Sequence, residues 1–134
     1  MPALSQSLTF KITNGNTTTN TVSISYPNTG TTTIVYTSER IKGDGYFSGS
    51  DGLHTVGYSA SNIFQGTITM QATLASEPGA TDWFDVVGTS VTYTSNDTRT
   101  NNTMDIYNFT GNFVWVRGNL SMNAGSLLYI NYNH

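Results

Sequence analysis

Between Gly66 and Ala75 the apolar residues Ile68, Met70, Ala72 and Leu74 alternate strictly with Thr67, Thr69, Gln71 and Thr73. Successive strand side chains point to opposite faces, so this spacing predicts a strand with one apolar and one hydroxylated side. From Phe113 to Arg117, Val114 and Val116 take one face while Phe113, Trp115 and Arg117 take the other. Apolar groups on both faces predict a central or interface strand.

The same reading extends along the chain. Leu8, Phe10 and Ile12 alternate in a strand that closes at the turn Asn14-Gly15-Asn16. Val22, Ile24 and Tyr26 make a second, stopped by Pro27-Asn28-Thr29-Gly30, and Thr33 to Thr37 a third, with Ile34 and Tyr36 on one face. From Ser38 to Gly52 the alternation breaks, and Gly43, Gly45, Gly49 and Gly52 among Asp44, Ser48 and Asp51 predict a folded loop. Strands are expected again at Leu53 to Ala60 and Gly66 to Leu74. Glu77 to Asp82 reads as a turn into Trp83-Phe84, and Val91 and Tyr93 begin the next strand. Ser95 to Asn102 reads as a polar hairpin tip. Met104 to Phe109, Phe113 to Arg117 and Leu127 to Tyr132 close the series. No stretch holds a 3.6-residue period, so no helix beyond a single turn is expected. The predicted fold is all-β: one two-sheet sandwich domain over residues 1–134, jelly-roll-like, with roughly eight to ten strands. Its expected core is Ile68, Met70, Leu74, Trp83, Val114, Val116, Leu128 and Ile130.

Composition narrows the function. Thr, Ser, Asn and Gly make close to half of the 134 residues, while 12% aromatics supply a core that a disordered chain would lack. Only 10% of residues are charged, against roughly 25% in average domains. Five basic residues and a net charge of −3 argue against nucleic-acid binding, which needs clustered cations to displace counterions. No apolar run approaches the length of a membrane-spanning helix. The absence of cysteine excludes disulfides and thiolate metal sites. The opening Met1-Pro-Ala-Leu-Ser-Gln6 has neither the basic nor the apolar region of a signal peptide, so synthesis in the cytoplasm without standard secretion is expected. The Asn-x-Ser/Thr triplets at Asn16, Asn96, Asn101, Asn108 and Asn119 follow from composition and carry no weight without a secretory signal.

Four constellations could carry chemistry. Asp44 and Asp51 in the glycine-rich loop could offer carboxylates to calcium, although two carboxylates fall short of the six to eight oxygens it takes; as turn caps they need no metal. His54 with Asp51 and Ser59 has the composition of a catalytic triad, but Gly57-Tyr-Ser-Ala60 lacks the second glycine of a nucleophile elbow. Asp82 and Asp85 bracket Trp83-Phe84 as the carboxylates of a glycosidase bracket a sugar, yet Asp82 reads better as a turn cap and the rings as a plug at one end of the core. Eight tyrosines and two tryptophans could stack on sugars, and Tyr46, Trp115 and Arg117 are the candidate contacts with a ligand or partner. No catalytic residue, cofactor or metal is expected, and the chain reads as a non-enzyme.

Taken in order, Gly43-Asp-Gly-Tyr-Phe47 with Asp51-Gly-Leu-His-Thr-Val56, Gly66 to Ala75 with Asp82-Trp-Phe84, Asn108 to Arg117, and Tyr129-Ile-Asn-Tyr-Asn133 resemble small β-rich virion structural proteins of T4-like phages of marine cyanobacteria. The likeness covers about residues 36–134. A Gly-flanked strand, Phe113-Val-Trp-Val-Arg117 and a closing strand after Gly125 are also similar to discoidin-like jelly rolls. The first resemblance implies a virion structural protein on the particle exterior, such as a capsid decoration. Its partners would be other virion proteins and further copies of the chain, with a trimer ahead of a dimer by family analogy. The second implies the alternative, a carbohydrate- or receptor-binding module of an adsorption apparatus.

Overall fold

The computed structural model describes residues 6–27, 32–47, 52–94 and 99–133. Its first strands are β1 (Gln6–Ser7), β2 (Phe10–Asn14), β3 (Thr17–Thr21), β4 (Ile24–Ser25), β5 (Ile34–Thr37) and β6 (Ile41–Lys42). One helical turn, α1 (Asp44–Phe47), follows. Then come β7 (Leu53–Ala60), β8 (Gln65–Thr73), β9 (Phe84–Asp85), β10 (Val91–Tyr93), β11 (Thr103–Thr110), β12 (Trp115–Ala124) and β13 (Ser126–Asn133). Of these thirteen strands among the described residues, β1, β4, β6 and β9 are two-residue bridges.

The first sheet runs β1-β13-β7-β11, with β4 also on β13; the second runs β10-β8-β12-β5, with β6 on β12 and β9 on β8. Every pairing is antiparallel, and the chain crosses between the sheets at β4–β5, β7–β8, β10–β11, β11–β12 and β12–β13. The result is the all-β, jelly-roll-like sandwich that the alternation implies. Its core is where the inner faces meet. Val56, Tyr58 and Ala60 of β7 and Ile130 and Tyr132 of β13 face Ile68, Met70 and Ala72 of β8 and Val116, Leu120 and Met122 of β12.

Strict alternation places these residues correctly wherever a strand is regular. It fails where the backbone is not. In β13 the register shifts between Leu127 and Tyr129, so Leu127 and Ile130 both point inward and Leu128 is left half-buried at the bulge. Leu74 is 67% exposed: β8 ends at Thr73, whose hydroxyl accepts the Ala75 N–H at 3.1 Å, and the chain turns out of the sheet. Val114 is half-buried because it precedes β12. Trp83 is likewise half-buried and Phe84 42% exposed, so neither ring plugs the core.

The hairpin of β2 and β3 turns on two residues, Gly15 and Asn16, with Gly15 at φ 66°. The polar β3 was not legible from alternation because its Thr and Asn side chains are exposed on both faces for most of its length. Conversely, the strand expected at Val22 to Tyr26 contracts to β4. The loop after β5 contains β6 and α1, and Gly43 and Gly45 are needed there for space: a Cβ on Gly45 would lie 2.1 Å from the Asn112 carbonyl oxygen and one on Gly43 2.3 Å from that of Phe113. The hairpin tip expected at 95–102 lies partly outside the described residues. At the first sheet's edge, β11 turns Met104 (51% exposed) and Ile106 (65% exposed) outward, while Asp105 stands on the inward-facing row with Tyr107 and Phe109. An inward-facing charge is one way a chain blunts an edge strand against pairing.

Candidate functional site

The outer face of the second sheet carries a row of linked polar side chains. Arg117 of β12 lies opposite Gln71 of β8, and Gln71 opposite Asp85 of β9. Arg117 Nε donates to Gln71 Oε1 at 2.9 Å, and Gln71 Nε2 donates to Asp85 Oδ1 at 3.0 Å. Further along the same face Thr69 Oγ1 donates to Ser90 Oγ at 3.0 Å, and the Thr67 and Thr92 hydroxyls are 2.9 Å apart. Cross-strand pairs of this kind hold a sheet's register, and beyond Gln71 the row is one of hydroxyl groups.

At one end of this face lies a cleft of about 320 Å³. It is lined by Thr37 at the end of β5, Ser38, Glu39 and Arg40 from the segment after it, Pro78 and Trp83 from the β8–β9 loop, Arg117 of β12 and Lys11 of β2. Local hydrogen bonds fix both walls. Ser38 N–H donates to the Gly118 carbonyl at 2.9 Å, Gly118 N–H donates to Ser38 Oγ at 2.7 Å, and Glu39 N–H donates to the Thr9 carbonyl at 2.8 Å. Opposite, Asp82 Oδ2 accepts the Gly79 N–H at 2.7 Å and closes the turn before Trp83, the capping role the sequence suggests for it. The Arg117 guanidinium lies 4.2 Å from the Trp83 ring centroid, a cation–π contact. Burial lowers the pKa of Arg117, but an arginine keeps its charge in a protein. Lys11 Nζ sits 3.0 Å from Glu39 Oε1, both side chains largely exposed.

Next to the cleft, Trp115 lies between Lys42 and Thr73 in the sheet and donates its indole N–H to the Ser76 carbonyl at 2.9 Å. The Arg40 guanidinium is 4.2 Å from its centroid, and the Tyr46 ring is 5.2 Å away, tilted by 58°. Lys42 Nζ lies 4.5 Å from the Tyr46 centroid. The three candidate contacts Tyr46, Trp115 and Arg117 thus fall on one region of surface, with different parts: Arg117 lines the cleft, whereas Trp115 and Tyr46 support Arg40 and its neighbourhood. The cleft draws on four separate segments of the chain, so alternation gives no sign that Lys11, Ser38, Glu39, Arg40 and Trp83 share it with Arg117.

The other constellations separate. His54 points inward on β7, fully buried and stacked on Phe109 at 4.7 Å and 4°, whereas Ser59, five residues on, has the opposite parity. The two cannot act together. Asp44 is 2% exposed and its Oδ2 accepts the Gly52 N–H at 2.9 Å, so it caps its own loop; Asp51 lies outside the described residues. Among the described residues no three His, Asp or Glu side chains gather as a metal ion would require. Asp85 is engaged by Gln71 and Asp82 by Gly79, so each carboxylate has a structural partner.

In class, then, the molecule is a two-sheet jelly-roll-like sandwich with a polar cleft on one outer face. No family model and no curated protein matches the chain, so the resemblance to cyanobacterial-phage virion proteins gains no support there. Among solved structures it is similar to the carbohydrate-binding module CBM6cm-2 of Cellvibrio mixtus lichenase 5A in complex with cellotriose (14% identity, TM-score 0.46, covering 100% of this chain and 98% of that one). It is similar also to the C-terminal CBM6 of LamC from Zobellia galactanivorans (12% identity, TM-score 0.48, 98% and 100%). A third is the enzymatically active domain of bacteriophage CBA120 tailspike protein 4 (8% identity, TM-score 0.47, 98% of this chain and 17% of that one).

Proposed function

We propose that the chain is a non-enzymatic glycan-binding module and that the cleft beside Trp83 is its binding site. One observation carries this reading: the cleft combines an indole with converging guanidinium, ammonium, carboxylate and hydroxyl groups on rigid strands and clamped loops. Sugars expose apolar C–H faces that pack on aromatic rings, and their hydroxyls need donors and acceptors at fixed positions. A larger groove of about 680 Å³ lies between the β2–β3 hairpin and Tyr36, but threonine hydroxyls and aliphatic carbons dominate its walls. The Trp83 cleft is the better match. It also favours the adsorption-side reading over capsid decoration, because a lattice-contacting face does not need a recessed aromatic flanked by ionic groups. Placement on a phage particle rests on the sequence resemblance, and mass spectrometry of purified particles tests it separately.

A glycan array followed by titration calorimetry tests the site. Trp83→Ala is expected to weaken binding by about twofold to tenfold, in keeping with the roughly 0.5–1.5 kcal/mol that an aromatic contact contributes beyond its buried area. Unchanged binding by a folded Trp83→Ala protein, or no binding to any glycan, would overturn the reading.

A further inference from the structure

The cleft has a charge that the rest of the molecule lacks. Lys11, Arg40 and Arg117 are three of only five cationic side chains in a chain of net charge −3, and all three line this one cleft. Glu39 is the single carboxylate among its lining residues, and Lys11 neutralises it at 3.0 Å. Asp85, the nearest carboxylate along the sheet row, is separated from Arg117 by Gln71 and engaged by it. Two guanidiniums therefore remain without a carboxylate partner among the described residues. Each lies against an indole, Arg117 at 4.2 Å from Trp83 and Arg40 at 4.2 Å from Trp115, and Gln71 further orients Arg117 through Nε. A guanidinium held in this way loses little freedom on binding and offers its remaining N–H groups as a planar fork, the geometry that matches a carboxylate or sulfate.

We infer that the cleft selects an anionic saccharide, a sugar bearing a carboxylate or a sulfate, whose acid group pairs with Arg117 and Arg40 while the ring lies beside Trp83. This rests on the glycan-binding reading and adds the ligand's class to it. A neutral sugar in the same place would leave two cations desolvated without a counter-charge, so discrimination should come from the acid group rather than from ring shape.

Titration calorimetry with an oligogalacturonate, its carboxyl-reduced neutral counterpart and a sulfated galactan oligosaccharide separates the possibilities. At least one of the two anionic probes is expected to bind about tenfold or more tightly than the neutral one, as a charge-assisted hydrogen bond implies. Its affinity should fall as sodium chloride rises from about 0.05 M to about 0.5 M. Arg117→Gln and, independently, the exposed Arg40→Gln should erase most of the preference, with melting curves confirming that both variants fold. A neutral probe that binds as well as the tighter of the two anionic ones would overturn the anionic class and leave the glycan-binding module standing. A preference untouched in both folded arginine variants would also overturn the assignment. If none of the probes binds and the array is blank, the glycan reading itself falls.

Discussion

Tyr58 shows how a single buried residue ties the two sheets together. It projects from β7 into the core, 1% exposed, and its hydroxyl donates to the Thr89 carbonyl at 2.8 Å. Thr89, itself fully buried in the connection to β10, donates its hydroxyl to the Val86 carbonyl at 2.7 Å and accepts the Met70 N–H at 3.2 Å. Replacing Thr89 with Val keeps the shape but orphans the Met70 N–H, while the Val86 carbonyl still accepts the Thr89 N–H at 3.3 Å; the lost donor partner should cost about 1–3 kcal/mol in chemical denaturation. A loss below a few tenths would show that these bonds are replaced elsewhere. Burial also raises the pKa of the Tyr58 and Tyr132 phenols above the ordinary value of 10.0. The folded state therefore holds these protons more tightly than the unfolded chain does. That contribution to stability is fully present below about pH 10, where both states are protonated, and is lost as the pH rises beyond it. Urea midpoints followed from neutral to strongly alkaline pH should fall above that point, less steeply for Tyr58→Phe. An identical slope in the variant would remove Tyr58 from the account.

Elements bring both regularity and exceptions. In β12 the even residues Val116, Gly118, Leu120 and Met122 face the core and the odd residues Trp115, Arg117 and Asn119 face out, so one strand holds up both the interior and the cleft. In β13 a single extra residue exchanges the roles of two adjacent leucines. The difference is measurable. Leu127→Ala should destabilise the fold by about 2–5 kcal/mol, as truncation of a fully buried leucine does, and Leu128→Ala by clearly less. The opposite order in thermal or urea denaturation would place the bulge elsewhere. The expected tolerance at Leu128 is a consequence of backbone irregularity, since its side chain is chemically identical to that of Leu127.

For the molecule as a whole, the two sheets share one hydrophobic cluster that draws on β2, β4, β7, β8, β11, β12 and β13. They should therefore unfold together, and tryptophan fluorescence and far-ultraviolet circular dichroism should give coincident urea transitions. Two separated transitions would divide the chain into independent units. Local pattern is enough for the all-β class, for the strand at Leu53 to Ala60 and the one expected from Gly66 to Leu74, and for the burial of Ile68, Met70, Val116 and Ile130. Each depends on the two-residue periodicity of an extended chain, a local property that any reader of the residues can follow. Long-range pairing settles that Leu74 and Trp83 leave the core, that Leu127 replaces Leu128 inside it, and that His54 and Ser59 face apart. Register shifts and strand ends depend on which partner strand is present, and alternation carries no record of the partner. The cleft was hidden for the same reason: Lys11, Arg40, Trp83 and Arg117 are scattered over more than a hundred positions of the chain. Antiparallel pairing across the second sheet and packing of the loops at its rim bring them together, and neither leaves a trace in local spacing.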